Sequence, residues 1–161
     1  NSEVDCKLFS NVGWGKSEAI YVTAYTRKAG DHKDAGWRFP KGMADYEVGA
    51  VTDISFNNIK CESENGVFLG AEAKDKIQNI YFDQVDLMIC KRTNYEGGIY
   101  DKRPCKGDEF VKGKTYGFYL DNASNVNIRN STVRWGDTRP SYFADTMFSQ
   151  NIDGLQTVNL K

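Results

Sequence analysis

The chain has no long apolar run: no stretch approaches the roughly 20 residues that a helix needs to cross a bilayer, so no membrane partner is expected. It has no helical signature either, because no segment carries a persuasive apolar period of 3.6. Nor is there an excess of positive charge. Lys and Arg number 21 against 22 Asp and Glu, and they are scattered rather than gathered into the basic stripe of a nucleic-acid binder. One His, and four Cys without Cys-x-x-Cys spacing, provide no structural zinc site, and neither metal nor cofactor is expected. Four Cys are also too few for a disulfide framework in 161 residues. Cys6 and Cys61 fall inside strand-like words, where a free Cys behaves as a small buried hydrophobe. Cys90 and Cys105 bracket an insertion and are placed to close it in an oxidising environment, a link worth about 3 kcal/mol for such a loop.

What the chain does have is a sentence written several times. Thr52-Asp53-Ile54-Ser55-Phe56-Asn57-Asn58-Ile59 returns 26 residues later as Gln78-Asn79-Ile80-Tyr81-Phe82-Asp83-Gln84-Val85. Ser124-Asn125-Val126-Asn127-Ile128 follows after a further 46, which leaves room for one insertion of roughly 20 residues. Gln150-Asn151-Ile152 reads as a fourth copy, again at the shorter spacing. Apolar residues alternate at period 2 and Gly or Asn punctuates the ends, which is strand chemistry. One column collects Asp53, Asn79, Asn125 and Asn151; the next collects Ile54, Ile80, Val126 and Ile152. Identical side chains stacked at the strand spacing form amide and apolar ladders. A strand returns parallel to itself at such intervals by winding round a solenoid. The expected fold is therefore all-β: a right-handed parallel β-helix, a pectin-lyase-like solenoid of about four to five coils, forming one domain over residues 1–161.

Loop insertions are expected at about 26–49 and 91–115. The first has no periodicity and gathers Arg27, Lys28, Asp31, His32, Asp34 and Arg38; long loops of this kind inside compact domains are usually functional. Aromatic residues make up 13% of the chain, nine of them Tyr. Alternation turns Ile20 and Val22 to one face and Tyr21, Thr23 and Tyr25 to the other. It likewise turns Val67, Leu69, Phe118 and Leu120 inward, with Phe68 and Tyr119 outward. Tyr21, Phe68 and Tyr119 then form an outward column on successive coils, a surface on which the C–H faces of sugars stack. The chain opens at Asn1-Ser2-Glu3 with no cap for a first coil, so further coils of the same protein, or an end-to-end partner, are expected to cover it.

Three stretches carry a family resemblance. They are Asp5-Cys6-Lys7-Leu8-Phe9, Gly49-Ala50-Val51-Thr52-Asp53-Ile54-Ser55-Phe56-Asn57-Asn58-Ile59 and Gly97-Gly98-Ile99-Tyr100-Asp101-Lys102-Arg103-Pro104. In this order, and with the repeat words, they resemble the C-terminal coils of bacterial members of glycoside hydrolase family 28, the polygalacturonases and rhamnogalacturonases. The resemblance implies a secreted, periplasmic or cell-surface protein and a polysaccharide or oligosaccharide partner. It also implies hydrolysis with inversion by paired carboxylates. The family's catalytic aspartates and its Gly-His-Gly word precede the region matched here, and neither occurs in this chain. Its following Gly-x-Arg-x-Lys word falls on Ala19-Ile20-Tyr21-Val22-Thr23, where Tyr21 and Thr23 replace the cations that hold a substrate carboxylate. That departure points to a neutral sugar, or to cations supplied by Arg27, Lys28 or Arg38.

The chain thus reads as a section that contributes a groove, lined by Tyr21, Thr23, Tyr25, Arg27, Lys28, Arg38, Phe68 and Tyr119, rather than the catalytic acids. Catalytic residues stay unassigned, with Asp31, His32 and Asp34 as candidates. Two alternatives remain open. One is a glycan-binding or structural β-helix of the adhesin or tail type. The other is a calcium-dependent lyase, for which Asp101 and Asp137 are widely dispersed.

Overall fold

The computed structural model describes residues 1–26 and 48–161. All but the ends of the loop expected at 26–49 lies outside the described residues, and with it Arg27, Lys28, Asp31, His32, Asp34 and Arg38. The described residues are all-β, with one 3-10 turn at Lys74–Lys76 and no α-helix. The strands are β1 (Ser2–Asp5), β2 (Tyr21–Ala24), β3 (Val51–Ser63), β4 (Val67–Ala71), β5 (Ile77–Ile89), β6 (Ile99–Asp101), β7 (Phe110–Lys112), β8 (Phe118–Arg129), β9 (Thr132–Trp135) and β10 (Met147–Val158).

Eight of these form one curled sheet in which every pairing is parallel. The pairings fall into three rows. In the first, β1, the end of β3, the end of β5 and β9 align Val4, Cys61, Leu87 and Val133. In the second, β2, β4 and the starts of β8 and β10 align Tyr21, Phe68, Tyr119 and Phe148. In the third, the starts of β3 and β5 and the ends of β8 and β10 align Ile54, Ile80, Val126 and Leu155.

The repeat word places the bends between rows. Asp53, Asn79 and Asn125 have φ of 60°, 56° and 53°, and Asn58, Gln84 and Asn130 have φ of 54°, 58° and 47°. A left-handed residue swings the strand out of one row and into the next, and Asn tolerates that conformation better than β-branched residues do. The expected ladder forms along one bend: Asn79 Nδ2 donates to Asp53 Oδ1 at 2.9 Å, and Asn125 Nδ2 donates to Asn79 Oδ1 at 2.7 Å. The fourth copy is corrected by three residues. Ile152 pairs with Ala123 and Leu155 with Val126, so Asn151 (φ 53°) stands beside Asn122 (φ 56°), and Gly154 (φ 72°) takes the place beside Asn125. The strand β8 carries a left-handed Asn at both positions, so the word Gln150-Asn151-Ile152 fits either one.

Inside the curl, Leu69, Ile80, Leu87, Phe118, Leu120 and Val126 are fully buried. Phe56 stacks on Phe82 at 5.1 Å, and Phe82 meets Phe118 edge-on at 5.4 Å. The strand β1 ends at Asp5, opposite Glu62 and one residue before β3 ends at Ser63. The last ladder bond runs from Cys6 N to Glu62 O, and Leu8 N turns instead to the Glu64 carboxylate.

The second insertion is an antiparallel hairpin, β6 with β7, closed by Gly113 N donating to Gly98 O at 2.8 Å. The expected Cys90–Cys105 link is not formed: all four cysteines are free thiols. Cys90 follows β5 and lies against Gly136, whereas Cys105 lies in the tip between β6 and β7, its thiol on Asp108 O at 3.4 Å.

Candidate functional site

Alternation along β2 sends Val22 and Ala24 into the core and Tyr21 outward. Phe68 and Tyr119 turn outward in register with it, as expected, but they do not form an open surface. Tyr100 of β6 lies over them, its ring centroid 5.1 Å from that of Phe68 and 4.9 Å from that of Tyr119, so that Phe68 is fully buried and Tyr119 is 7% exposed. The Tyr100 hydroxyl accepts from Tyr116 N at 2.8 Å and donates to Tyr116 O at 3.1 Å, which holds the ring in place. The ligand-gripping role expected of Phe68 and Tyr119 is therefore corrected: they are the floor of a small second core under the hairpin. Thr23 is half-buried. Tyr25 is half-buried too; its hydroxyl has no hydrogen-bond partner among the described residues, and burial, helped by the Asp121 carboxylate, pushes its phenol upward.

Tyr21 remains accessible at 39% exposure, its hydroxyl donating to Arg103 O at 2.9 Å. Partial burial pushes its phenol up to about 12, so it stays a neutral donor through the ordinary pH range. It forms one wall of a cleft of about 370 Å³, whose other walls are Lys7, Leu8, Phe9, Trp14, Glu18 and Arg103. Phe9 and Trp14 are strongly exposed, at 71% and 58%. Their exposure follows from local sequence. Leu8 is buried, so its neighbour Phe9 faces out, and Trp14 stands between two glycines at a corner with no inward face.

That corner is held from three sides. Lys16 is buried and its ammonium donates to Asn11 O and Gly13 O, both at 3.0 Å. Arg103 Nη2 donates to Gly13 O at 2.6 Å, and its guanidinium stands 6.0 Å from the Trp14 ring centre and 4.7 Å from that of Phe110. Asp101 completes the clamp, accepting from Gly15 N at 2.7 Å through Oδ2 while both its oxygens bind Arg103. Burial raises the Asp101 carboxyl, but these donors outweigh it and hold the group below the usual carboxylate range. Glu18 is shifted the other way: burial raises it, although its oxygens accept from Asp101 N at 2.9 Å and Lys16 N at 2.5 Å. The cleft thus presents an aromatic platform, a phenol whose proton is engaged by Arg103 O and whose oxygen can accept, and a neutralised guanidinium. Its one carboxyl is already engaged by backbone N–H groups.

Sequence reasoning singled out Tyr21 here and missed Phe9, Trp14, Glu18 and Arg103. The Gly13-Trp14-Gly15 corner was the available signal. A second depression lies over the first row; of the charges that line it, Asp5 and Glu62 pair with Arg92 at 2.5 and 3.1 Å, and Asp86 pairs with Arg134 at 2.8 Å. Among the described residues no three His, Cys, Asp or Glu side chains gather as metal ligands, and no helix is long and apolar enough to cross a membrane. No family model, no curated protein and no solved structure matches the chain.

Proposed function

We propose that the chain is a carbohydrate-active right-handed parallel β-helix, the C-terminal section of a pectin-type polysaccharide hydrolase, which holds its polymer in the Trp14 cleft without supplying the catalytic acids. What supports the helix is the order in which the chain visits the three rows: first, second, third, repeated without exception from β1 to the end of β10. What supports the glycan is the single observation of solvent-facing Trp14, Phe9 and Tyr21 around one cleft, the apolar and hydrogen-bonding surface that a sugar ring requires. Asp101 cancels the charge of Arg103, so the cleft favours a neutral residue of the polymer over a uronate, in keeping with Tyr21 and Thr23 standing where the resembled family has cations.

Glu18 favours binding over cleavage within this chain, because a general acid must release a proton to a leaving group and both its oxygens are committed to backbone donors. A stand-alone glycan-binding module shares that observation and differs only in what a longer parent does. The test is calorimetric titration of the purified chain with rhamnogalacturonan, polygalacturonan and neutral galactan oligosaccharides, together with a reducing-sugar assay. Binding that Trp14→Ala weakens about tenfold or more, with no sugar released, is the expected result. Failure to bind any of these polymers overturns the glycan reading; release of reducing ends by this chain overturns its non-catalytic part.

A further inference from the structure

Two of the four thiols are neighbours although 55 positions separate them in the chain. Cys61 lies in β3 opposite Val4, and Cys6 follows the end of β1, where its N–H donates to Glu62 O at 2.9 Å. The two thiols are close enough for the charge of each to be felt by the other. Both sulfurs also face one backbone stretch: Cys6 Sγ lies 3.8 Å from Ser17 O and 3.7 Å from Glu18 O, and Cys61 Sγ lies 3.9 Å from Ala19 O. Cys61 is buried and Cys6 half-buried, yet Cys61 also lines the depression of about 340 Å³ over the first row. The strand β1 is exposed along its whole length. The remaining thiols, Cys90 and Cys105, are held against Gly136 and Asp108.

We propose that Cys6 and Cys61 form a reversible disulfide, making this pair a thiol-modification site of the chain. Cys6 is the attacking thiol: the neighbouring Cys61 thiol, with Ser17 and Arg92, outweighs burial and brings it down to about 7. The partner is a small external disulfide such as oxidised glutathione. The Cys6 thiolate, having lost its proton to solvent, attacks one glutathione sulfur; the S–S bond breaks, and one glutathione leaves as a thiolate. The Cys61 sulfur, losing its proton in turn, attacks Cys6 Sγ and expels the second glutathione. Two protein thiols are oxidised, one external disulfide is reduced to two thiols, and two protons are released. The resulting bond ties the first strand to β3 across the intervening loop.

Incubating the full chain with oxidised glutathione, followed by intact-mass measurement and peptide mapping, tests this. The expected product has lost two hydrogens, yields one linked peptide joining Cys6 to Cys61, and returns to the starting mass with dithiothreitol. A Cys90→Ser/Cys105→Ser double variant should behave in the same way. Cys61→Ser should stop at a glutathione adduct on Cys6. A link that uses Cys90 or Cys105, a glutathione adduct persisting on Cys6 in the parent chain, or four thiols still alkylatable after oxidation would each overturn the proposal. Mapping of the parent chain decides the matter whether or not the variants fold.

Discussion

Replacing Glu64 by Gln removes the negative charge that ties together the two walls of the cleft. Glu64 is 2% exposed, and four donors converge on its carboxylate: Leu8 N at 3.0 Å, Lys91 Nζ at 3.1 Å, Thr93 N at 3.3 Å and Thr93 Oγ1 at 3.0 Å. Leu8 belongs to the cleft, and Lys91 and Thr93 open the insertion that carries Tyr100 and Arg103. Breaking a buried ion pair from one side costs about 3–5 kcal/mol, and hydrogen bonds to charged groups contribute about 1.5–3 kcal/mol each. The lower end applies here, because the Lys91 side chain keeps 17% exposure and a second acceptor in Tyr95 O, while the Gln carbonyl can still serve Leu8 N.

A loss of about 2–3 kcal/mol corresponds, at this chain length, to a fall of roughly 5–10 °C in Tm. Circular-dichroism melts of parent and Glu64→Gln measure it directly. The pH dependence has a fixed sign. Burial raises the Glu64 carboxyl, but Lys91, Leu8 and Thr93 together hold it below its ordinary 4.5, so its folded-state pKa is depressed. Its contribution is complete above that ordinary value and is lost as pH falls through the folded-state pKa. The gap between the two proteins should therefore narrow on acidification. Equal melting near neutrality, or a gap that stays constant into the acid range, would refute the reasoning.

Three further outcomes are expected. Gly70→Ala places a methyl 2.5 Å from the Tyr25 hydroxyl and 2.7 Å from the Phe68 ring, and should destabilise by about 1–3 kcal/mol in urea unfolding; a neutral result would mean that the column yields easily. Asn79→Ala loses its ladder bonds and puts into a left-handed site a residue that tolerates it less well than Asn does, for about 1–2 kcal/mol, whereas Asn79→Gly should recover the backbone part; equal losses for Ala and Gly would exclude the left-handed strain as a cause. Tyr100→Ala should uncover Phe68 and Tyr119 at a cost of about 3–5 kcal/mol and raise binding of an apolar fluorescent dye; unchanged dye fluorescence in the folded variant would contradict the cover assigned to Tyr100.

The in-and-out assignment of Val67, Phe68, Leu69, Phe118, Tyr119 and Leu120 was legible because strand alternation is a local rule. The parallel stacking of Ile54 on Ile80 and of Ile80 on Val126 was legible because the same words recur. The register of β10 was not. Asn122 and Asn125 both take the left-handed conformation, and a three-residue word containing Asn matches either; only the backbone pairing of the whole strand selects between them. The cleft was half legible: Tyr21 followed from alternation, but Arg103 and Asp101 come from an insertion without periodicity and meet the Gly13–Gly15 corner only in three dimensions.

By itself, then, the amino-acid order determined the strand character and the stacked columns, since these depend on neighbours a few residues away or on a repeated phrase. Tertiary structure alone decided that Tyr100 closes over the aromatic column, that Cys90 lies against Gly136 while Cys105 lies against Asp108, and that Arg103 and Asp101 meet the corner that carries Trp14. Each of those outcomes depends on where a non-repeating hairpin lands, and that is set by contacts such as Asp101 to Gly15 and Tyr100 to Tyr116, which no periodicity encodes.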